Sequence, residues 1–577
     1  MALIKRRDIP EQNHLELPEV LHPILKRIYA ARHVLDAVEL EHTLNHLQPF
    51  HLLKEIETAV ELLIEALQTQ QRILVVGDFD ADGATSSALA VRVLRAMGAK
   101  QVDFLVPNRF EYGYGLTPEI VKVALQRQPD LIITVDNGIS SLEGVAAAKA
   151  NNIKVLITDH HLPGESLPGA DAIVNPNQPG DTFPSKNLAG VGVIFYVMMA
   201  LRAALRERDW FTQQNIKEPN LASYLDVVAL GTVADVVPLD HNNRILVAQG
   251  LARIRAGECC AGIKAILETA GRKIENISSS DMGFCVGPRL NAAGRLEDMS
   301  IGIACLLSDD IQEARLLARQ LDQLNHDRRV IEQDMRQQAF AYLDALQMDD
   351  EADLPVGLCL YNDDWHEGVI GILASRVKDK LHRPVIAFAP SGEALLKGSA
   401  RSVKGLHIRD ALDSVAVKHP GLINKFGGHA MAAGMTIAAD KFDAFAAAFN
   451  AEVARHLSQE DLHGTIFSDG ELVGQDIGLE LAEYLRKAGP WGQGFPEPVF
   501  DGVFEVVNRR IVGEKHLKLL LRPPGNSDTV DAIAFNTVDD EWPAEVAQVQ
   551  LAYRLDVNEF RGVCNTQLIV EHIAPIL

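Results

Sequence analysis

Short apolar runs alternate with amphipathic segments over the first third of the chain. Buried strands are predicted for RILVVGD, QVDFLVP, LIITVD and KVLITD, and helices are predicted for ATSSALAVRVLRAMGA, TPEIVKVALQR and SLEGVAAAKAN. This alternation is typical of βαβ units and a parallel sheet. Residues 18–70 precede it and predict amphipathic helix, since LLKEIETAVELLIEALQTQ carries apolar residues at helical spacing. Segments 188–210 and 221–255 continue as mostly helical.

Residues 309–347 contain no proline or glycine and predict one long helix. Its apolar face is expected to consist of Leu317, Leu321, Leu324, Ile331 and Met335. At 1.5 Å per residue the rod would be roughly 58 Å long. A coiled-coil oligomer is the alternative, but we expect a connector between two lobes because the pattern shows only one helix of this length.

The spacing of apolar residues changes twice in the last 230 or so residues, which indicates two further units. LPVGLCLY, RPVIAFAP and segment 394–450 predict a second α/β unit, whereas residues from about 465 to 577 alternate apolar and polar positions at period two. A small all-β module follows from that alternation, such as an OB-fold barrel. The predicted fold class is therefore α/β: a parallel-sheet domain, a long connecting helix, a second α/β lobe and a small barrel.

Composition limits the classes of function. A length of 577 residues implies several domains, and 47% hydrophobic with 23% charged residues is ordinary for a globular protein. The net charge of −23 argues against a protein that coats nucleic acid with its whole surface. A nucleic-acid enzyme remains compatible with it if positive charge is confined to a groove.

The six cysteines form no CxxC pair, and we expect them to be small buried hydrophobic residues rather than zinc ligands or disulfides. The N-terminus has basic residues but no apolar signal region, and no window reaches about 18 uninterrupted apolar residues. We therefore expect a cytoplasmic protein that does not contact a membrane.

Acidic and imidazole side chains follow three of the predicted strands. GDFDADG contributes Asp78, Asp80 and Asp82; VDNGIS contributes Asp136; and ITDHH ends the third strand. In open α/β sheets ligands bind at the carboxyl ends of the strands. Many carboxylates with a few imidazoles are the ligand composition of a divalent-metal cluster. Asp235 adds an acid inside the apolar stretch LGTVADVVPL, where metal coordination would offset the cost of an unpaired charge.

A structural interpretation competes with the metal site at each motif. Asp-rich DxD turns commonly cap the next helix, and lone histidines are more often structural than catalytic. Adjacent histidines after an acid, in register with two other acidic strand ends, are harder to explain in that way. Gly83 is expected to let the backbone approach a bound group closely.

These motifs resemble the DHH phosphoesterase superfamily, whose name-giving triplet stands here as Asp159, His160 and His161. Further segments are similar to its RecJ family of bacterial single-stranded-DNA exonucleases, namely NRFEYGYGL, LAGVGV, GTVADVVPL, GPRLNAAGR, WHEGVIGILASRV, GSARS and FGGHAMAAGM. The similarity runs from about residue 70 to the C-terminus. The first 40 or so residues carry no motif that we can interpret.

The resemblance implies two cations, Mg²⁺ or Mn²⁺, and a ligand set in this chain. Those ligands are Asp78, Asp80, Asp82, Asp136, His160 and Asp235. Asp136 is expected to bridge the two ions. The residues expected to act in catalysis are Asp136, His160 and His161, with His161 donating to a phosphate oxygen or assisting proton transfer rather than binding metal.

Cations and glycine-rich segments are expected to hold the substrate. The resemblance places this role on Arg109, Arg289, Arg295, His366, Ser399, Arg401 and His429. Arginine suits phosphate because its planar group donates two parallel hydrogen bonds. A surface or salt-bridge arginine is the alternative for each one. Tyr112 and Tyr114 are candidates for stacking on bases or for packing.

The expected function is hydrolysis of single-stranded DNA from the 5′ end by a two-metal mechanism, in DNA recombination and repair. A DHH phosphodiesterase of short oligonucleotides or cyclic dinucleotides is the alternative, and a non-catalytic scaffold is a third hypothesis. The resemblance further implies a single-strand-binding protein and a helicase as partners, and we expect a monomer. Five segments are predicted: a helical segment 1–70, a DHH catalytic domain 71–308, a connecting helix 309–348, a DHHA1 domain 349–460 and an OB-like module 461–577.

Overall fold

The computed structural model describes residues 3–10, 16–106, 115–345, 354–392, 394–513, 516–535, 537, 546–560 and 562–576. The chain forms two compact units. The smaller comprises residues 1–5 and 326–467, and the larger comprises residues 6–325 and 468–577.

The strands of these described residues are short in the α/β parts and longer near the C-terminus. In chain order they are β1 (Leu3–Arg6), β2 (Ile73–Val76), β3 (Val102–Leu105), β4 (Leu131–Val135), β5 (Lys154–Thr158), β6 (Ala172–Val174), β7 (Leu358–Tyr361), β8 (Val385–Pro390), β9 (Leu395–Arg401), β10 (Lys425–Gly428), β11 (Ala432–Ala438), β12 (Thr465–Ser468), β13 (Phe500–Val512), β14 (His516–Arg522), β15 (Val530–Ala534), β16 (Gln548–Phe560) and β17 (Val563–Ile576).

The helices range from single turns to one long rod. They are α1 (Pro23–Ala30), α2 (Ile56–Gln68), α3 (Ala81–Ala96), α4 (Pro118–Leu125), α5 (Leu142–Ala150), α6 (Gly190–Glu207), α7 (Trp210–Gln213), α8 (Leu225–Ala234), α9 (His241–Arg255), α10 (Ala261–Thr269), α11 (Ser279–Asp281), α12 (Gly287–Leu296), α13 (Ser300–Leu307), α14 (Ile311–Ala345), α15 (Ile370–Leu381), α16 (Ile408–Lys418), α17 (Phe442–Val453) and α18 (Leu479–Lys487).

The larger unit contains the predicted parallel sheet. Its strand order is β3-β2-β4-β5-β6, and every neighbouring pair is parallel. All residues of β2 and β4 are buried, which explains their uninterrupted apolar sequences. The chain reverses its direction of winding between β2 and β4, so these two strands form the topological switch point, where open α/β sheets bind ligands.

The C-terminal residues of the larger unit form the predicted barrel. It is closed, with strand order β13-β14-β15-β17-β16. Buried and half-buried residues alternate strictly along β14, which is the period-two signal seen in the sequence. Its neighbouring strands are antiparallel except for β15 and β17, which pair in parallel, and a sheet that closes on itself leaves no open edge.

The smaller unit is the second α/β unit that the sequence predicts. Its sheet has the order β10-β11-β9-β8-β7, in which only β7 and β8 pair in parallel. The core is rich in aromatic residues: Phe388 and Phe445 meet edge to face at 5.7 Å, and Phe445 stacks on Phe449 at 6.1 Å.

Helix α14 confirms the single long helix but corrects its buried face. Leu321 and Met335 are buried as expected, whereas Leu317, Leu324 and Ile331 are only half-buried. The buried stripe is made of Ala314, Ala318, Leu321, Asn325, Arg328, Glu332, Met335 and Ala339. Its polar centre is tolerated because the charges are neutralised locally: Glu332 pairs with Arg328 and accepts from Arg376 Nε at 3.0 Å.

Two expectations about small features need correction. Residues 18–70 are not one helical run: between α1 and α2 the chain makes three short 3₁₀ turns. Cys285 and Cys305 are buried as expected, but Cys564 is exposed on the barrel. None of the helices in the described residues is long and apolar enough to cross a membrane.

Two strand glycines of the smaller unit provide a test of its packing. A Cβ on Gly398 would lie 2.5 Å from Phe388 Cε1 and 2.8 Å from Met435 Cγ, whereas one on Gly434 would have no atom within 4 Å. We expect Gly398→Ala to lower the free energy of unfolding by about 1–3 kcal/mol through overpacking. Gly434→Ala is the control and should change it by less than about 1 kcal/mol. Equal unfolding free energies in urea titrations would contradict the packing described for β9.

Candidate metal centre

The ends of β2 and β4 lie side by side at the switch point of the parallel sheet. Asn137, one residue beyond Asp136, ties them together: its Nδ2 donates to the carbonyl oxygens of Val76 at 3.1 Å and Val135 at 2.8 Å. The acidic residues that follow the two strands are therefore brought to one place by the register of the sheet and by a buried amide.

The loop after β2 is shaped by its own carboxylates. Asp80 Oδ1 accepts from the amides of Asp82 at 2.9 Å and Gly83 at 3.0 Å, so it caps the N-terminus of α3. The capping role considered for this motif is thus real, and it coexists with the metal-site geometry below. Gly83 permits a close approach, but to the chain itself: a Cβ there would lie 2.5 Å from the Asp78 carbonyl oxygen.

Helix α12 braces this loop from the other side. Asn291 Oδ1 accepts from the amide of Ala81 at 2.7 Å. A Cβ on Gly294 would lie only 1.8 Å from the carbonyl oxygen of Phe79, so that position requires glycine. The segment GPRLNAAGR therefore supports the acidic loop, a role that we did not assign to Asn291 or Gly294 from the sequence.

Asp136 occupies a constrained position directly after β4. Its φ is +61°, a left-handed conformation that non-glycine residues adopt at an energetic cost, and its exposure is 2%. Gly190, at the start of α6, makes room for it, since a Cβ there would lie 2.6 Å from Asp136 Cβ. The LAGVGV motif thus shapes the space around Asp136, another contribution that the sequence did not reveal.

The triplet after β5 divides its roles through hydrogen bonds. Asp159 accepts from the amides of His160 and His161, from His161 Nδ1 at 2.8 Å, and from the amide of Ile139 at 2.8 Å. With so many donors, and 1% exposure, Asp159 acts as an orienting group. It fixes the ring of His161, so that any donation from His161 to a substrate comes from Nε2.

His160 lies between two of the carboxylates. Its Nε2 is 3.1 Å from Asp136 Oδ1 and 3.5 Å from Asp235 Oδ2. Asp235 stands at the C-terminal end of α8, and its Oδ2 is buried. A residue about 75 positions beyond the DHH triplet is thereby brought into the same cluster.

The donor atoms form three overlapping groups, each with its atoms within 4.8 Å of one another. The groups are Asp78–Asp80–Asp136, Asp136–His160–His161 and Asp82–His160–Asp235. Asp136 belongs to two of them and His160 to two. A ligand that bridges two neighbouring cations would be shared in this way.

Burial and mutual repulsion dominate the electrostatics. Burial, followed by the charges of Asp82 and Asp80, raises the pKa of Asp136 well above its ordinary value. The same causes raise the pKa of Asp235. Burial and Asp80 raise the pKa of Asp82 to about 7, against hydrogen bonds from two backbone amides. So many carboxylates in one buried place are stabilised when a cation binds among them.

The pKa values of Asp159 and His161, two members of the triplet, shift as those of an ion pair. Burial alone would raise the pKa of Asp159, but the hydrogen bond and charge of His161 outweigh it and lower that pKa. Burial lowers the pKa of His161, yet Asp159 and the surrounding acids raise it to about 9. His161 is thus paired with Asp159, whereas its neighbour His160 lies between Asp136 and Asp235.

The donor set fits hard divalent cations. Five carboxylates and one imidazole are expected as ligands, and oxygen-dominated sets of this kind suit Mg²⁺ and Mn²⁺. Asp82 has a competing task, because its Oδ2 and Oδ1 accept from the amides of Gly190 at 2.6 Å and Val191 at 3.0 Å. Its carboxylate therefore also caps α6, and its role as a ligand remains a prediction.

Two arginines of the GPRLNAAGR segment lie in the larger unit. Arg289 is 9% exposed and is bound within the protein: its guanidinium lies 2.8 Å from Asp322 on α14 and donates to the Cys285 carbonyl at 2.8 Å. These contacts describe an arginine that ties α12 to α14, and contact with substrate remains a prediction. Arg295 is half-buried on the last turn of α12. Arg109, Tyr112 and Tyr114 lie outside the described residues.

The other expected substrate residues belong to the smaller unit. Arg401 Nη1 donates to Ser399 Oγ at 3.1 Å, so these two residues of β9 form one cluster. Gly371 lets its helix, α15, pack closely against this pair, since a Cβ on Gly371 would lie 2.9 Å from Ser399 Oγ. His366 Nδ1 accepts from the amide of Gly368 at 3.0 Å. The backbone amide of His429 donates to the carbonyl oxygen of Ala432 and so closes the turn from β10 to β11.

Two glycines of α6 allow a matched test of the centre. We expect Gly190→Ala to displace Asp136, because the new methyl group would overlap Asp136 Cβ, and so to weaken Mn²⁺ binding by about 10-fold or more. Gly192→Ala is the control, since its Cβ would meet only the flexible end of Leu188 at 3.1 Å. Calorimetric titration with Mn²⁺ measures the difference, and equal affinities in the two variants would contradict the placement of Asp136.

Three known families match this chain, and each match falls on one of the three main sheets of the described residues. Residues 72–232 match the DHH family, N-terminal domain; residues 355–455 match the DHHA1 domain; and residues 468–572 match the RecJ OB domain.

Whole-chain relatives and solved structures agree with this division. The single-stranded-DNA-specific exonucleases RecJ of Dickeya dadantii and Escherichia coli are each 54% identical over 574 residues, covering 99% of both chains. The crystal structure of Thermus thermophilus RecJ in complex with Mn²⁺ is 30% identical, with a TM-score of 0.81 over 100% of this chain and 79% of that one. Its complex with Mg²⁺ has a TM-score of 0.75 at 28% identity, over 100% of this chain and 78% of that one. The chain belongs to the RecJ family of DHH proteins.

Proposed function

We propose that this protein is a single-stranded-DNA-specific exonuclease that hydrolyses phosphodiester bonds in the 5′ to 3′ direction with two divalent cations. The observation that carries the proposal is the shared position of Asp136, which belongs both to the group with Asp78 and Asp80 and to the group with His160 and His161. Relatives with 54% identity bear the name of this activity, and a structural relative binds Mn²⁺.

The ligands proposed for the cations are Asp78, Asp80, Asp82, Asp136, His160 and Asp235. Bound divalent cations supply Lewis acidity, which makes an attacking water more acidic and offsets the charge that develops on the phosphoryl oxygens. Asp136 and His160 link the three donor groups, since each belongs to two of them and their side chains approach to 3.1 Å. Strain at Asp136 and close packing against Gly190 limit the freedom of this side chain before any ion binds.

His161 is proposed to serve the substrate rather than a cation. Asp159 accepts from its Nδ1, and together with the surrounding acids it raises the pKa of His161 against the effect of burial, which favours the protonated ring. A protonated Nε2 donates to a phosphate oxygen or delivers a proton to the leaving oxygen. The chain thereby provides a proton donor within the same triplet that provides the ligand His160.

Selection of a DNA end is proposed for the arginines and for the smaller unit. Arg401 and Ser399 offer a guanidinium and a hydroxyl at 3.1 Å, a pair of donors suited to a terminal phosphate. Arg109, Arg289, Arg295, His366 and His429 complete the set by resemblance.

The barrel is proposed to bind the strand beyond the scissile bond. OB-fold barrels hold single strands in a basic groove with stacking side chains. Arg510 is exposed and Arg509 is half-buried on β13, and Lys518 on β14 lies 3.2 Å from Asp531. We retain the five segments predicted from the sequence as the proposed domain boundaries.

The cellular setting is part of the proposal. A monomer that degrades single-stranded DNA during recombination and repair would act in the cytoplasm, where bacterial DNA lies. It would work with a single-strand-binding protein and a helicase, as the family resemblance implies. These partners are supported by the resemblance alone.

Digestion of a long single strand labelled at one end tests the polarity and the substrate. With Mg²⁺ or Mn²⁺ we expect label at the 5′ end to be released first, and chelator to abolish release. A duplex of the same sequence is the control for strand selectivity. Release of a 3′ label first would contradict the direction, and a preference for dinucleotides would favour the oligonucleotide phosphodiesterase.

Replacement of the shared ligand tests the mechanism. We expect Asp136→Asn to lower the rate of hydrolysis by more than about 100-fold, since even groups that only support metal ligands account for 10- to 100-fold. The control is Asp130→Asn at the opposite end of β4, where Asp130 makes an exposed salt bridge to Arg72 at 3.6 Å. Near-normal hydrolysis by Asp136→Asn would overturn the two-metal mechanism.

A further inference from the structure

The loop that carries Asp235 has an unfavourable backbone. Asp235 ends α8 in a right-handed conformation, and the next residue, Val236, has a φ of +62°. That place after a helix normally holds glycine, because a branched side chain is strained there by about 1–3 kcal/mol. Val236 is 62% exposed, so burial of its own side chain does not compensate for the strain. Contacts beyond Val236 must therefore hold the loop.

Those contacts come from a loop just before the barrel, residues 489–498, which we call the glycine-aromatic loop. The amide of Leu239 donates to the carbonyl oxygen of Gln493 at 2.7 Å. Two glycines allow this approach: a Cβ on Gly492 would lie 2.7 Å from Leu239 Cδ1, and one on Gly494 would lie 3.2 Å from Pro238 Cβ. Gly494 has a φ of +70°.

The glycine-aromatic loop is itself rigid. Gly492 and Phe495 exchange backbone hydrogen bonds of 2.9 and 3.1 Å, and the rings of Trp491 and Phe495 stack at 5.2 Å. Trp491 Nε1 donates to the Leu485 carbonyl at 2.9 Å, and its own carbonyl accepts from Ser279 Oγ at 2.6 Å. The loop thus has a defined shape against which another segment can be fixed.

The N-terminal segment, for which no motif could be interpreted, clamps the same loop. Tyr29 on α1 stacks on Trp491 at 6.2 Å, and Arg32 lies 5.4 Å from the centre of that ring. Arg32 also donates to the carbonyl of Pro496 at 2.9 Å, and its charge is balanced by buried Asp469 at 2.6 Å. A guanidinium over an aromatic face with its charge paired is a stable arrangement.

Arg244 on α9 connects the two loops directly. Its guanidinium lies 4.5 Å from the ring centre of Phe495, and its Nη1 donates to the carbonyl of Leu239 at 3.1 Å. Both backbone groups of Leu239 are therefore bonded. Asp240 anchors the far side of the loop by capping α9.

We propose that the glycine-aromatic loop is a positioning element for the metal centre, holding the strained Asp235 loop so that Asp235 stays 3.5 Å from His160. The inference rests on the proposed two-metal centre and assigns it a support from residues more than 250 positions away. It also gives the N-terminal segment a task, since Tyr29 and Arg32 hold the support in place.

Two glycines with the same backbone strain allow a controlled test. Gly494 has a φ of +70° and packs on Pro238, while Gly525 in the barrel has a φ of +71° and no atom within 4 Å of a built Cβ. Calorimetric titration of the full chain with Mn²⁺ should show that Gly494→Ala weakens one of two sites by about 10-fold or more. Gly525→Ala should bind Mn²⁺ as the wild type does.

A second variant, and the same changes made in an Asp235→Asn background, test whether the effect acts through Asp235. Ser279→Ala removes the hydrogen bond to the Trp491 carbonyl without adding strain, and we expect it to weaken the same Mn²⁺ site. If circular dichroism shows Gly494→Ala to be unfolded, Ser279→Ala serves as the test in its place. In an Asp235→Asn background neither change should reduce Mn²⁺ binding further, because the support acts through Asp235.

The outcomes separate the two proposals. Wild-type protein that binds no Mn²⁺ would overturn the metal centre itself. Wild-type protein that binds two ions, with unchanged affinity in folded Gly494→Ala and Ser279→Ala, would overturn only the positioning role. A loss that is equal in Gly525→Ala, or that persists in the Asp235→Asn background, would also overturn it by revealing a general destabilisation.

Discussion

Repulsion among carboxylates buried at the switch point of a parallel sheet is the constraint on which the rest of this structure depends. Asp136, with 2% of its surface exposed, lies in a cluster with Asp82 and Asp235, and the pKa of each is raised by burial and by neighbouring carboxylates, Asp80 among them. Such a cluster is costly without compensating positive charge. The surrounding elements serve to hold these groups together against that cost.

The compensation within the chain comes from backbone amides and from one histidine pair. Asp80 caps α3, Asp82 accepts from the first amides of α6, and Asp159 is saturated by donors that include His161. Helix N-termini favour carboxylates, so Asp80 and Asp82 are stabilised in part by the helices they cap. Asp159 is stabilised instead by loop amides and by His161. The atoms around Asp136, His160 and Asp235 are where cations are needed, and Asp136 and His160 are each shared between two of the donor groups.

Much of the fold was predictable because its signals are local. Uninterrupted apolar strands, the absence of breakers in α14 and the period-two alternation of β14 each follow from neighbouring residues, and the acids at the strand ends follow from the parallel sheet. Supports that depend on tertiary packing were not predictable. Asn291, Gly190 and Gly294 touch the acidic loop or Asp136 across more than 50 positions of sequence. The polar stripe of α14 was missed for a similar reason, since the buried Glu332 is paired by Arg376 from another helix as well as by Arg328.

Electron paramagnetic resonance of the protein titrated with Mn²⁺ tests the central claim most directly, because a carboxylate shared by two ions brings their spins close enough to couple. The account predicts a spin-coupled pair spectrum that grows to two ions per chain and that is replaced by a signal from isolated ions in an Asp136→Asn variant. Saturation at one ion, or two signals that remain uncoupled in the wild type, would contradict a centre built around Asp136.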